Sequence, residues 1–113
     1  MEAWQAAVSA AQAKKAEDIS VLDLRAVANF ADTFVICHGL NARQIQAISD
    51  EVGTRLKQEG IRPMSMEGYQ QAEWILMDYG DLIVHIFSPR ARDYYQLERL
   101  WKTGRPLLAR KES

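Results

Sequence analysis

Between Glu2 and about Ala16, Trp4, Ala7, Val8 and Ala11 recur at helical spacing in an alanine-rich stretch, which predicts a helix with one apolar stripe facing a core. The β-branched and aliphatic run 19–24 predicts a strand. A second, 33–38, follows a loop holding Asn29 and Asp32 that is short enough for an antiparallel pair. Gly39-Leu40-Asn41 interrupts the strand, and Asn41 is suited to accept the orphan amides of a helix whose apolar positions are Ile45, Ile48, Val52 and Leu56, ending near Gly60. Pro63 opens an extended piece, 64–68. Beyond the polar turn at Gln70-Gln71, the runs 74–79 and 82–87 read as two strands joined by a tight Gly80-Asp81 turn. Ser88-Pro89 opens a third helix with Tyr94, Leu97, Leu100 and Trp101 on its buried side, expected to stop at Gly104.

The order helix, two strands, helix, three strands, helix predicts an α/β fold: a mixed five-stranded sheet layered with three helices. Residues 1–104 read as one domain and residues 105–113 as a short, partly basic, poorly ordered tail. The later strands are apolar on both faces, with Ile75, Met77 and Tyr79 pointing one way and Trp74 and Leu76 the other. Three helices covering five strands leave part of the sheet or a strand edge bare, and such a surface marks an interface.

Composition narrows the class without changing the fold. A chain of 113 residues, 48% hydrophobic and 26% charged, is the size and make-up of one folded domain. A formal net charge of −1 supplies no global positive field for duplex nucleic acid or an anionic membrane, so recognition by charge must be local. The lone Cys37 cannot close an internal disulfide, no zinc-type Cys/His spacing occurs, and no apolar run is long enough to span a membrane; the sequence reads as cytoplasmic.

Sorting the charges by position is more informative. Residues 63–89 carry Glu67, Glu73, Asp78 and Asp81 without a Lys or Arg, a sum of −4, whereas residues 90–113 carry seven basic and three acidic side chains, a sum of +4. The acidic block is interleaved with Tyr69, Trp74 and Tyr79, a mixture suited to a basic protein partner, unless the rings are core and the acids only solvated. Other chemistry can be weighed against these readings. Asp78 and Asp81 could hold a divalent metal, but acids around a glycine are common turn formers. The Gly39 junction could cradle a phosphate, although it lacks a P-loop lysine or a GxGxxG pattern. His85, inside an apolar strand, reads as a hydrogen-bonded sheet histidine rather than a general base. Cys37 reads as core, with His38 on the opposite face of the pleat. Arg90, Arg92, Arg99 and Lys102 could touch RNA or form a solvated helix face.

The strings 18–24, 32–39, 43–48, 67–69, 73–81, 84–87 and 92–101 together resemble, in order and spacing, the ribosomal silencing factor family, also called the Iojap family. The resemblance implies a protein that binds the large ribosomal subunit, chiefly at large-subunit ribosomal protein fourteen, on the face that meets the small subunit. There it would block subunit joining and damp translation when nutrients are scarce. It also implies a nucleotidyltransferase-like fold and a homodimer when free; the minor contact with ribosomal RNA is a separate reading, resting on the basic residues Arg90, Arg92, Arg99 and Lys102 alone. The nucleotidyltransferase pattern of a glycine-serine pair followed by a carboxylate triad is not reproduced, since Leu40 follows Gly39, so no enzyme, cofactor or metal is expected. Under this reading the partner-binding residues are Glu67, Tyr69, Trp74, Met77, Asp78, Tyr79, Asp81 and His85. The rival is a small nucleotidyltransferase-like or phosphate-binding enzyme using Asp78 and Asp81.

Overall fold

The computed structural model describes residues 2–109. Its strands are β1 (Glu17–Asp23), β2 (Thr33–His38), β3 (Ser65–Glu67), β4 (Trp74–Asp78), β5 (Leu82–Phe87) and β6 (Arg105–Leu108). Its helices are α1 (Ala3–Ala13), α2 (Ala42–Gln58) and a broken third helix, α3 (Pro89–Tyr95) followed by the single turn α4 (Leu97–Leu100). The strands form one mixed sheet in the order β3-β4-β5-β2-β1-β6. β2 and β5 pair in parallel at its centre, and every other pairing is antiparallel, including the expected β1–β2 pair. This central parallel pair is buried on both faces along most of its length, which is why the β2 and β5 runs are apolar at nearly every position.

α1 and α2 pack together on one face. Ala7, Ala10 and Ala11 of α1, with Ile45, Ile48, Val52 and Leu56 of α2, close over Val21, Val35, Cys37, Ile75, Met77, Val84 and Ile86. Asn41 caps α2 as its sequence position suggests, with its side-chain oxygen accepting from the Gln44 amide at 2.8 Å. On the opposite face Ala91 and Leu97 from α3 and α4 pack with Leu22, Leu24, Phe34, Ile36 and Phe87.

The sheet has six strands rather than five. Arg105–Leu108, expected within a poorly ordered tail, pairs with β1 as an edge strand, because Leu107 has the helix-covered core to bury against and Pro106 is tolerated at an edge. The chain turns back at Gly104, where a Cβ would lie 2.7 Å from a methyl of Leu24. The tail residues 110–113 lie outside the described residues.

The third helix also departs from expectation. Tyr94 and Leu100, read as its buried side, are exposed, while Arg92 is buried together with Leu97. On an uninterrupted helix Arg92 and Glu98, six residues apart, would project roughly 120° from one another. Gln96 takes a left-handed conformation, φ 48°, that redirects the chain and lets both side chains turn inward as an ion pair. Arg92 Nη1 lies 3.0 Å from His38 Nδ1 and donates to the Glu17 carbonyl at 3.3 Å, and Glu98 accepts from the Ser20 hydroxyl at 2.9 Å. This network ties the broken helix to β1 and to the end of β2.

Candidate functional site

Directly paired strand residues share a face. Ser65 lies opposite Asp78 and Glu67 opposite Leu76, while Trp74, Leu76 and Asp78 lie opposite Phe87, His85 and Ile83. These side chains therefore stand on the face away from α1 and α2. α3 and α4 reach only part of it. Trp74, Leu76 and Ile83 remain partly exposed on the sheet, and around them Phe30 is 53% exposed, Tyr95 48% and Leu100 70%.

The rings form one continuous cluster. Trp74 lies 4.7 Å from Tyr95 and 5.1 Å from Phe87 between centroids, and Trp101 lies 5.5 Å from Phe30 and 6.1 Å from Phe34. His85 sits beneath them, buried, with its ring edge-on to Phe34 at 4.5 Å. The Trp74 indole N–H donates to His85 Nδ1 at 3.1 Å. An indole nitrogen can only donate, so Nδ1 accepts and the imidazole proton resides on Nε2. This bond fixes the orientation of Trp74 from below. Burial pushes the His85 pKa down from 6.5 to about 3, partly opposed by the charge of Glu98, and so keeps the ring neutral.

That displacement has a sign. The unfolded chain binds a proton near pH 6.5 that the folded ring refuses until about pH 3, so stability contributed by neutral His85 is present above pH 6.5 and lost as the pH falls below it. The expected loss is about 1.4 kcal/mol by about pH 5.5. Urea midpoints measured across this range should fall in the native chain and much less in His85→Leu; parallel declines in both would reject the assignment.

The sequence-derived contact residues divide by face. Glu67, Trp74 and Asp78 lie on the aromatic face or its rim, and Asp81 is exposed in the adjoining turn. Met77 is fully buried against the helices, and His85 is buried within the face, so neither can touch a partner directly; pleat parity and central-strand burial remove them. Tyr69 and Tyr79 pack against the helix-side core instead. The Tyr69 hydroxyl donates to Asp50 at 3.1 Å, and burial raises the Tyr79 phenol to about 12. Sequence reasoning missed Phe30, Ile83, Tyr95 and Leu100 as parts of the surface. Strand alternation places Leu76 beside Trp74, but no local pattern marks Phe30, which arrives on a loop.

Several groups of the enzymatic alternatives are already engaged. Asp78 Oδ1 accepts from the Gly80 amide at 2.8 Å, and Gly80 has φ 87°, so this carboxylate closes the β4–β5 turn. The Gly39 amide donates to the Phe87 carbonyl, the Leu40 amide to the Gln44 side chain and the Gln44 amide to Asn41, which occupies donors a phosphate would need. Cys37 is buried, and desolvation raises its pKa to about 12, as expected of a core thiol and not of a nucleophile. Among the described residues no group of three or more His, Cys, Asp or Glu is placed to hold a metal, and no helix is long and apolar enough to cross a membrane. Arg92, one of the possible RNA contacts, is only 1% exposed, which removes it from any surface.

Comparison with known proteins gives a consistent picture. A family described as "Ribosomal silencing factor during starvation" matches residues 1–112. The chain is 44% identical over 100 residues to a protein named ribosomal silencing factor RsfS from Halalkalibacterium halodurans, a match covering 88% of this chain and 86% of that one. A crystal structure of a Chromobacterium violaceum protein superposes with a TM-score of 0.87 at 32% identity, covering all of this chain and 92% of that one. A mouse protein named mitochondrial assembly of ribosomal large subunit protein 1 is 29% identical over 97 residues, which span 83% of this chain and 42% of the mouse protein. The bacterial name describes a regulatory role on the ribosome and not an enzymatic one.

Proposed function

The chain belongs to the ribosomal silencing factor family, and from that premise we propose that its aromatic sheet face docks on the large ribosomal subunit, chiefly at large-subunit ribosomal protein fourteen, and holds the small subunit away. The observation that carries this reading is the uncovered apolar cluster of the rings Trp74, Phe30 and Tyr95 with Leu76 and Ile83, and Glu67, Asp78 and Asp81 beside it. An apolar centre with exposed rings supplies contact area, and an acidic rim steers and registers a basic partner such as a ribosomal protein. Met77, Tyr69 and Tyr79 stay outside this footprint, and His85 acts from beneath it.

Obstruction needs no chemistry. A body measuring 34 × 34 × 21 Å is far thicker than the near-contact spacing between two joined particles, so occupancy alone prevents joining. By mass action, silencing requires the free concentration to exceed the dissociation constant for the subunit. A homodimer that covers the same face would lower the free fraction, which gives the cytoplasm a reserve to release when nutrients are scarce.

The test is sedimentation of purified large subunits with this protein through a density gradient, paired with light scattering of subunit joining. Native protein should travel with the large subunit and suppress joining. Glu67→Lys with Asp81→Lys should weaken binding about tenfold at low salt and less at high salt, because exposed rim charges contribute about 0.7 kcal/mol each and are screened. Undiminished binding and undiminished inhibition by the double variant would remove the acidic rim from the account.

A further inference from the structure

The sequence presents the segment after Pro89 as basic side chains alternating with acids, but the fold sorts them. Glu98, 21% exposed, turns inward and pairs with the buried Arg92, so one base leaves the surface and one acid spends its charge on it. What remains exposed on α3, α4 and the following turn is Arg90, Arg99 and Lys102 against the single acid Asp93. Between these cations stand two solvent-facing rings. Tyr94 is 79% exposed and Tyr95 48%, with centroids 5.0 Å apart and planes nearly perpendicular. Packing against the core does not account for a ring as large as Tyr94 held in water.

The rings separate two open depressions. One, of about 590 Å³, is lined by Glu73, Arg90, Ala91, Tyr94 and Tyr95. The other, of about 390 Å³, is lined by Tyr95, Gln96, Arg99, Leu100 and Lys102. Each thus joins an aromatic wall to at least one cation, and the first adds the Glu73 carboxylate, which accepts from the Ser88 hydroxyl at 2.9 Å through Oε2. Its second oxygen can accept from a base amino group.

We propose that the outer surface of α3 and α4, adjoining the docking face, is a site for single-stranded RNA, stacking an unpaired base on Tyr94 and holding the flanking phosphates with Arg90 on one side and Arg99 and Lys102 on the other. Every base has a π-face, so such a platform takes unpaired nucleotides with little sequence preference, and separated cations follow the backbone. A basic protein would be repelled by these three cations, and an acidic peptide would make no use of the rings. The inference rests on the ribosomal reading only in naming ribosomal RNA as the natural source of the strand. It makes the silencing surface bipartite, with acids and rings toward protein and cations and rings toward RNA.

Fluorescence anisotropy of a short labelled single-stranded RNA of mixed sequence, titrated with the full chain over a range of salt concentrations, tests the site. Binding should weaken with salt, and Arg90→Gln with Arg99→Gln and Lys102→Gln should flatten the logarithmic slope by about 2, at about 0.7 for each phosphate no longer neutralised. Tyr94→Ala should weaken binding about 5- to 150-fold with the slope unchanged. Absent RNA binding at low salt, a slope indifferent to the triple substitution, or equal affinity for duplex of the same sequence would each overturn the proposal. Trp74→Ala separates the two readings: it should retain RNA binding while losing large-subunit binding. Subunit binding without RNA binding in the native chain would sink only the RNA site.

Discussion

Arg92→Leu is expected to lower the free energy of unfolding by about 3–5 kcal/mol, although it exchanges one large side chain for another apolar one. Arg92 is only 1% exposed, and its guanidinium joins three parts of the fold: the Glu17 carbonyl on β1, His38 at the end of β2, and Glu98 on α4. Removing it leaves Glu98 half-buried and without its cation, and leaves His38 Nδ1 without that donor. Burial alone raises the Glu98 pKa, but the hydrogen bond and charge of Arg92, with the Ser20 hydroxyl, outweigh it and hold the carboxyl below its ordinary value of 4.5. The stability this pair contributes is therefore present above about pH 4.5 and lost as the pH falls through the lowered folded value. Urea denaturation followed by circular dichroism measures the loss. Adding Glu98→Leu should recover much of it, since a buried pair replaced on both sides by apolar groups costs far less than one broken on one side. A single-variant loss below about 1 kcal/mol would show that the network does not hold the helix down.

The same residue shows where sequence reading reaches its limit. Helices α1 and α2, the β1–β2 hairpin and the β4–β5 turn follow from short-range rules: periodicity, an Asn cap, a Gly-Asp turn. All of those interactions join residues close in the chain. Polar neighbours in sequence group Arg92 with the surface cations, but its burial depends on Glu17, Ser20 and His38, more than 50 positions away. The break at Gln96 has no glycine to announce it and arises from that distant pairing. Likewise β6 exists because β1 offers an edge and the core has room for Leu107.

The candidate site is legible to the same extent. Alternation puts Trp74 and Leu76 on one face and Met77 on the other, as the pleat does. Counting aromatics and acids within one block, however, gathers both faces into a single set, so Met77, Tyr69 and Tyr79 stand beside Trp74 although the sheet lies between them. Phe30 and Tyr95 complete the surface from a loop and from a helix that reach the face only in three dimensions.

Trp74→Ala should weaken large-subunit binding by about 30- to 1000-fold, the range of a central interface tryptophan losing 2–4 kcal/mol. The ring is partly exposed, fixed by its hydrogen bond to His85 and flanked by Tyr95 and Phe87, so its rotamer is set before any partner arrives. Little ordering is left to oppose association. Truncation also strips the donor from buried His85 Nδ1, which costs stability by about 1–3 kcal/mol, and the two effects must be separated. Trp74→Phe does so: it keeps an aromatic surface and loses the N–H, so it should show most of the stability loss and only a small part of the binding loss. Binding is read by co-sedimentation at fixed salt and stability by urea midpoint on the same preparations. If Trp74→Ala remains folded at the assay temperature and binds like the native chain, the aromatic face is not where the ribosome is met. If Trp74→Phe loses as much binding as Trp74→Ala, orientation through His85, and not ring area, is what the partner reads.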